Sequence, residues 1–311
     1  MTETSEKDVF TGIELGVGTW AWGDRLMWGY GRGYGLGDLR GAFETCLTSK
    51  IQMFDTAEVY GQGQSEQITG SFLKATEEHV FIATKFMPFP WRLNRSALRN
   101  ALTASLRRLG LPAVDLYQIH MPLPPVTIET WMEAMTEVYQ AGLISAVGVS
   151  NYDSDQMQRA YDHLLREGIR LASNQVEFSL LNRKIEKDGM LRRCAELGVK
   201  VLAYSPLAMG VLSGKYTPEK PPQGIRGGRF SRRFLEKIQP LLKLMTHIGS
   251  DHSGKNPAQV AINWAICKGT LPIPGAKTAR QAEQNAGALG WRLTEAEVAG
   301  LDETSERVLA D

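Results

Sequence analysis

Asp55, Lys85, His120, Ser150, Asn151, Gln175, Tyr204, Ser205 and Gly275 share one feature of placement. Each stands at or just beyond the C-terminal end of a short apolar run. The set comprises a carboxylate, an ammonium, an imidazole, two amides and several hydroxyls, so its chemistry is charge and hydrogen bonding. Taken singly, each has an ordinary reading. Asp55 could be a loop carboxylate, and Tyr60, five residues on, a packed aromatic. His120 could be a satisfied strand-end histidine and Tyr204 part of the core. Gln175 and Asn151 could merely satisfy backbone groups. Lys85 is harder to dismiss, because it follows the apolar run Val80–Ala83, where an unpaired ammonium would be costly. Seven consecutive apolar runs each deliver a polar or permissive residue at the same end, and that joint pattern points to one site.

The elements that would carry these residues alternate regularly. Strands are expected over 14–18, 51–55, 80–84, 114–119, 144–149, 171–175, 199–203 and 270–274. Helices are expected over 38–49, 64–75, 94–109, 127–141, 153–166, 184–197, 256–267 and 278–288. The best-marked helix places Leu98, Leu102, Leu106 and Leu109 near one face and is stopped by Gly110 and Pro112. A last helix, 294–307, carries Thr294 and Glu297 at capping-box spacing. Strands that alternate with helices pair in parallel through right-handed crossovers. Eight such units predict an α/β fold, a (β/α)8 TIM barrel, in which all strand C-termini open onto one face. A doubly wound sheet shares the alternation and is the rival architecture.

Two stretches break the repeat. Residues 23–37 form a glycine-rich loop with Trp28, Tyr30 and Tyr34, and residues 205–235 form a long loop rich in Gly, Pro and Arg. Long loops inside a compact domain are usually functional or mobile. No internal domain boundary is visible, so 1–311 reads as one barrel domain with a loose tail over 1–10.

Composition excludes several classes. Of 311 residues, 43% are hydrophobic and 22% charged, a globular balance that rules out a collagen-like or disordered chain. Thirty-five Lys and Arg against 34 Asp and Glu leave a net charge of +1, which suggests no nucleic acid and no membrane surface as partner. Cys46, Cys194 and Cys267 are odd in number and form no CxxC, so a disulfide framework or zinc site is not expected, and a reducing, cytoplasmic setting is. The polar start does not fit a secretory signal, and no apolar run is long enough to span a bilayer. Gly16-Val-Gly18-Thr-Trp-Ala21 fits a relaxed dinucleotide fingerprint, but an aromatic loop follows instead of the required helix start, so it is rejected. A lone histidine and scattered carboxylates lack metal-ligand spacing, and no metal is expected.

Seven motifs together carry a resemblance over about Gly12 to Arg307. They are Phe54-Asp55-Thr56-Ala57-Glu58-Val59-Tyr60-Gly61, Ala83-Thr84-Lys85, Asp115-Leu116-Tyr117-Gln118-Ile119-His120, Gly148-Val149-Ser150-Asn151, Asn174-Gln175-Val176-Glu177, Ala203-Tyr204-Ser205-Pro206-Leu207 and Ile273-Pro274-Gly275. The chain resembles the aldo-keto reductase superfamily, and the stretch from Gly275 to Trp291 looks most like its plant and cyanobacterial pyridoxal-reductase-like branch. The resemblance implies a barrel that uses NADPH to reduce a small-molecule aldehyde or ketone. It places the family's catalytic tetrad on Asp55, Tyr60, Lys85 and His120. Tyr60 would be the general acid, with Lys85 lowering its pKa from about 10. Asp55 would hold Lys85 charged, and His120 would position the substrate oxygen.

The resemblance further implies that Tyr204 stacks on the nicotinamide while Ser150, Asn151 and Gln175 hold its carboxamide. Gly18, Thr19 and Trp20 would border the cofactor. Ser205, Leu207, Gly210, Ser213 and Lys215 would line the pyrophosphate. Gly275, Lys277, Thr278, Gln281, Gln284 and Asn285 would take the adenosine phosphate, with one departure: many members carry Arg where Gln281 stands. Trp20, Trp22, Phe86, Trp91 and Met121 are candidate walls for the substrate. A monomer is expected rather than an oligomer. Potassium-channel β subunits also resemble this family and keep the tetrad, so a cofactor-sensing scaffold is the alternative to an enzyme.

Overall fold

A computed structural model describes residues 8–222 and 225–310 of the chain. Eight strands run in parallel in sequence order: β1 (Gly16–Gly18), β2 (Met53–Asp55), β3 (Phe81–Phe86), β4 (Leu116–Ile119), β5 (Val147–Ser150), β6 (Leu171–Glu177), β7 (Lys200–Tyr204) and β8 (Leu271–Pro272). The sheet curls round until its ends meet. The Gly18 N–H donates to the Pro274 carbonyl at 3.1 Å, and Gly18 bridges Gly275 in parallel. The (β/α)8 barrel is therefore the architecture, and the open doubly wound alternative is excluded.

The helices are α1 (Leu36–Thr48), α2 (Gln64–Leu73), α3 (Arg95–Leu109), α4 (Ile128–Gln140), α5 (Ser154–Arg166), α6 (Lys184–Lys187), α7 (Met190–Leu197), α8 (Ile225–Arg229), α9 (Arg232–Lys237), α10 (Gln239–Asp251), α11 (Pro257–Cys267), α12 (Ala279–Ala286) and α13 (Glu295–Ala310). Their starts follow local chemistry. The Asn94 side chain accepts from the Ala97 N–H to open α3, and Gly110 closes it in the left-handed region. Capping boxes open α5 at Asp153/Gln156 and α11 at Asn256/Gln259. Thr294 and Glu297 exchange bonds at the start of α13, as their spacing predicts.

Four expectations change. The single helix over 184–197 is two, α6 and α7, broken at Asp188-Gly189. The long loop over 205–235 contains a short 3-10 turn over Ala208–Ser213 and helices α8 and α9. Helix α10 is an addition to the expected set, with Leu241, Leu242, Met245 and Ile248 buried at helical spacing. The expected loose tail also needs revision. Residues 1–7 lie outside the described residues, but Phe10 is buried.

Strand alternation explains how the barrel positions its site. Side chains along a strand point alternately inward and outward. Phe10, Met53, Phe81, Ala83, Leu116, Ala146, Leu202, Leu271 and Ile273 form a compact apolar cluster inside the barrel. Two residues further along the same strands stand Asp55 after Met53, Lys85 after Ala83, Gln118 after Leu116, Gly148 after Ala146, Tyr204 after Leu202 and Gly275 after Ile273. The apolar plug thus supports the polar layer directly above it. A second, larger core lies between the sheet and the surrounding helices.

Phe10 packs its ring 5.6 Å from that of Phe81 in the plug, remote in sequence from every strand end that carries the site. Phe10→Ala should therefore cost about 3 kcal/mol of stability, the usual size for a buried aromatic, in urea unfolding. Catalytic constants should stay near native, because the lower end of a barrel serves stability.

Candidate active site

The polar layer is organised around Lys85, which is fully buried. Its ammonium donates to Asp55 Oδ1 at 2.5 Å, to the Thr56 carbonyl at 2.8 Å and to Tyr60 Oη at 3.3 Å. All three N–H groups therefore have acceptors. The other Asp55 oxygen, Oδ2, accepts from Gln118 Nε2 at 3.0 Å and from Gln175 Nε2 at 2.9 Å. Gln175 Nε2 also reaches Gln118 Oε1 at 3.3 Å. Strands β2, β3, β4 and β6 are tied together through these side chains. Gly148 makes room for the arrangement. A Cβ there would lie 2.5 Å from Ser173 Oγ and 2.9 Å from Gln118 Cγ, so any larger residue would crowd both side chains.

Electrostatics follow from this burial. Desolvation works against the Lys85 ammonium, but Asp55 and Tyr60 outweigh it and lift its pKa above the usual value, so the charge is retained. For Tyr60 the balance runs the other way from the expectation. Burial raises the phenol pKa by more than the Lys85 charge lowers it, and Asp55 raises it further. Tyr60 is held as a protonated phenol. His120 sits edge-on to the Tyr60 ring, with centroids 5.7 Å apart. Burial first, and the Lys85 charge second, lower its imidazole to about 3, so it is neutral across the physiological range. Its Nδ1 is buried without a hydrogen-bond partner among the described residues.

Above this layer opens a cavity of about 540 Å³. Tyr60, His120, Met121, Lys277, Gln284 and Asn285 are among the residues that line it. Ser150 Oγ donates to the Gln175 carbonyl at 2.9 Å. Asn151, with φ of 60°, donates to the His120 carbonyl at 3.1 Å and accepts from Tyr204 Oη at 3.0 Å. These groups satisfy each other and still border the cavity. Among the described residues no cluster of side chains suits a metal ion, and no helix is long and apolar enough to cross a membrane.

A sequence model of the aldo/keto reductase family matches residues 14–306. The chain belongs to the aldo/keto reductase family. It is 42% identical over 302 residues to the chloroplastic pyridoxal reductase of Arabidopsis thaliana, covering 93% of this chain and 82% of that one. Its fold matches the glycerol dehydrogenase of Gluconobacter oxydans with a TM-score of 0.83 at 26% identity, covering 96% and 93% of the two chains. An aldo/keto reductase of Klebsiella pneumoniae, solved in complex with NADP and acetate, superposes with a TM-score of 0.72 at 29% identity, covering 93% and 90%.

In this aldo/keto reductase most of the residues singled out from sequence border the same cavity. Gly18, Trp20, Asp55, Tyr60, His120, Ser150, Asn151, Gln175 and Tyr204 do so. So do Ser205, Leu207, Gly210, Ser213, Lys215, Gly275, Lys277, Gln281, Gln284 and Asn285. Several others do not. Thr19 is buried beneath the cavity, where its hydroxyl donates to the Asp55 carbonyl at 3.0 Å and meets Ser65 Oγ. Thr278 caps α12, accepting from the Gln281 N–H. Trp22 is wholly buried against Phe54 and Phe72, its indole N–H donating to the Ala276 carbonyl at 2.8 Å. Phe86 points out of the barrel onto Trp131, with centroids 4.9 Å apart, as befits the neighbour of an inward Lys85. Trp91 is exposed and stacks on Phe89, outside the cavity wall.

Sequence reasoning overlooks Gln118, Glu177, Met209 and Arg229. Gln118 is legible, since it stands two residues before His120 and pairs in register with Lys85. The Arg229–Glu177 ion pair, at 2.9 Å on the cavity rim, joins β6 to α8 and leaves no spacing signal.

The Lys85–Asp55 pair generates a stability prediction. Lys85→Met should destabilise by about 3–5 kcal/mol, because it leaves a buried carboxylate uncompensated. Adding Asp55→Asn to that variant should recover much of the loss in chemical denaturation. Additive losses would show that the two charges do not compensate each other.

Proposed function

We propose that this aldo/keto reductase reduces an aldehyde or ketone to an alcohol using NADPH, with Tyr60 donating the proton. The observation that carries this reading is the Tyr60 hydroxyl, held protonated 3.3 Å from a buried ammonium in the wall of a cavity of about 540 Å³. The residues fit a dinucleotide. Along the post-β7 loop, Ser205, Met209 and Gly210 have positive φ and line the cavity, so the backbone turns tightly along its wall. A Cβ at Gly210 would lie 2.9 Å from Lys215 Nζ, so glycine lets that ammonium approach the backbone. Ser205, Leu207, Gly210, Ser213 and Lys215 would line the pyrophosphate, and Gly275, Lys277, Gln281, Gln284 and Asn285 the adenosine end. Tyr204, its hydroxyl tied to Asn151, would offer a face to the nicotinamide, beside Ser150, Asn151 and Gln175.

When bound, NADPH supplies the hydride. The protein's part is then to stabilise the oxygen on which charge accumulates. Neutral His120 would donate from Nε2 to that oxygen and fix its position. Tyr60 would transfer its proton to the same oxygen. As the phenol loses its proton, the charge that forms on Tyr60 Oη lies beside the Lys85 ammonium, which Asp55 keeps in place. Lys85 therefore acts on the product of the proton transfer, where its attraction is strongest.

The substrate wall supports a flat aldehyde. Trp20 lies nearly parallel to Tyr60, with centroids 6.2 Å apart, and Trp28 meets Trp20 edge-on at 5.6 Å. Such a wall suits an aromatic ring, and pyridoxal is a candidate through the similarity to the Arabidopsis enzyme. The three free thiols support a reducing, cytoplasmic setting. A cofactor-sensing scaffold is the alternative, and turnover separates the two. NADPH oxidation with a panel of pyridoxal, methylglyoxal and aromatic aldehydes should show catalysis. Tight NADPH binding with no turnover on any of them would favour the scaffold.

Tyr60→Phe keeps the ring and removes the donor. Its kcat should fall by about a hundred-fold or more, the size of a lost general acid, while NADPH still quenches protein fluorescence. Near-native turnover would refute the assignment.

Cofactor choice is tested at Lys277. Its ammonium lies over the rings of Tyr34 and Trp28, 4.6 and 5.5 Å from their centroids. Gln281, the residue that replaces the common Arg, accepts the Lys277 backbone N–H at 2.8 Å and shapes this turn. We expect NADPH to be preferred and NADH to remain measurable. Lys277→Ala should weaken NADPH binding roughly tenfold or more, the worth of a charge-assisted contact, and leave NADH nearly unchanged. Added salt should reproduce part of that loss. Equal native affinities for the two cofactors would remove the phosphate site.

A further inference from the structure

Among the described residues the Tyr60 hydroxyl hydrogen-bonds to one side chain, through Lys85 Nζ, and the backbone beyond Tyr60 is irregular. Gly61, Gln62 and Gly63 have φ of 56°, 58° and 89°, so no regular helix holds Tyr60 from its C-terminal side. Its ring packs against Trp20 and His120, and its backbone is held by the way segment 56–60 is fastened to β3. Near Asp55 the fastening is backbone: the Thr56 N–H donates to the Ala83 carbonyl at 2.8 Å. Closer to Tyr60 it weakens, and the Glu58 N–H reaches the Lys85 carbonyl only at 3.5 Å.

There the Glu58 side chain takes over. Its carboxylate, 9% exposed, accepts from the Met87 N–H at 2.8 Å. It also accepts from both terminal nitrogens of Arg92, at 2.5 and 3.0 Å. Arg92 in turn donates to the Met87 carbonyl at 2.9 Å and lies over the Phe86 and Phe89 rings. A bidentate, partly buried pair of this kind has a defined geometry. It spans from the residue two before Tyr60 to the residue two after Lys85.

We propose that Glu58 and Arg92 form a positioning pair that sets the separation of the Tyr60 hydroxyl from the Lys85 ammonium. The inference rests on the reading of Tyr60 as proton donor. Neither residue lines the cavity, so both act through Tyr60 and Lys85.

The test uses Glu58→Ala, Glu58→Gln, Arg92→Ala and Arg92→Lys in the full chain. Both alanine variants should lose about tenfold or more in kcat, the cost of a small misplacement at a reacting centre, with NADPH affinity within about twofold of native. Glu58→Gln and Arg92→Lys should recover part of the rate. Adding Glu58→Ala to Tyr60→Phe should cause no further loss, because the donor is already gone. A lower melting temperature with native kcat would overturn the proposal and leave the pair structural. So would a loss that adds fully to that of Tyr60→Phe. A crystal structure of Glu58→Ala gives a readout free of turnover. The Tyr60 Oη to Lys85 Nζ separation should open beyond hydrogen-bonding distance, and an unchanged separation would refute the pair even if the native chain proved inactive on every aldehyde. Inactivity of the native chain alone would count against the reductase reading and not against the pair.

Discussion

Burying the Lys85 ammonium is the constraint around which the rest of the layer is arranged. A buried charge costs several kcal/mol, even after relaxation, unless its partners are well placed. Lys85 obtains them from a carboxylate, a carbonyl and a phenol, on segments that only a closed barrel brings together. Asp55 creates the reciprocal demand, and Gln118 and Gln175 meet it from β4 and β6. Gly148 is small because Gln118 must pass beside it. The apolar plug beneath keeps water from the charges, which strengthens every contact in the layer.

The same burial decides the protonation states. Lys85 keeps its positive charge, and the two groups above it, Tyr60 and His120, are neutral. Resemblance alone suggests that Lys85 brings the Tyr60 pKa down. In the folded chain desolvation outweighs that attraction. The result suits an acid that must keep its proton until the oxygen beside it becomes charged. It also suits an imidazole that donates a hydrogen bond without adding a second positive charge beside Lys85.

All eight strands are legible because buried parallel strands read as apolar runs, and seven of those runs deliver a polar or permissive residue at or just beyond the same end. What residue type alone does not convey is the side of the strand. It marks Trp22, Phe86 and Trp91 as cavity walls, and none of them is one. Phe86 follows the inward Lys85 and so points outward, which alternation dictates. The same rule finds Gln118. Helix α10 carries a clear helical period, hidden by the long Gly- and Pro-rich stretch that leads into it. The Arg229–Glu177 pair and the clamp of Glu58 by Arg92 join residues 52 and 34 positions apart, and no local pattern announces them.

The aromatic loop after β1 joins the two ends of the proposed site into one structure. Tyr60 faces Trp20, Trp20 meets Trp28, and Trp28 lies under the Lys277 ammonium at the far rim. Tyr34 fixes the same loop through its hydroxyl, which donates to the Ala21 carbonyl at 2.5 Å, and its ring also lies under Lys277. A cation over two aromatic faces is held by geometry as well as by charge. On the proposed reading, the residue that would read the cofactor phosphate and the residue that would donate the proton are therefore linked through one continuous set of rings. Gln281 belongs to that set as well, since its side chain holds the turn from which Lys277 projects. On that same reading, Gln281 in place of the Arg that the resemblance implies removes a charge while keeping the remaining one in place, which argues for a weakened rather than an abolished phosphate preference.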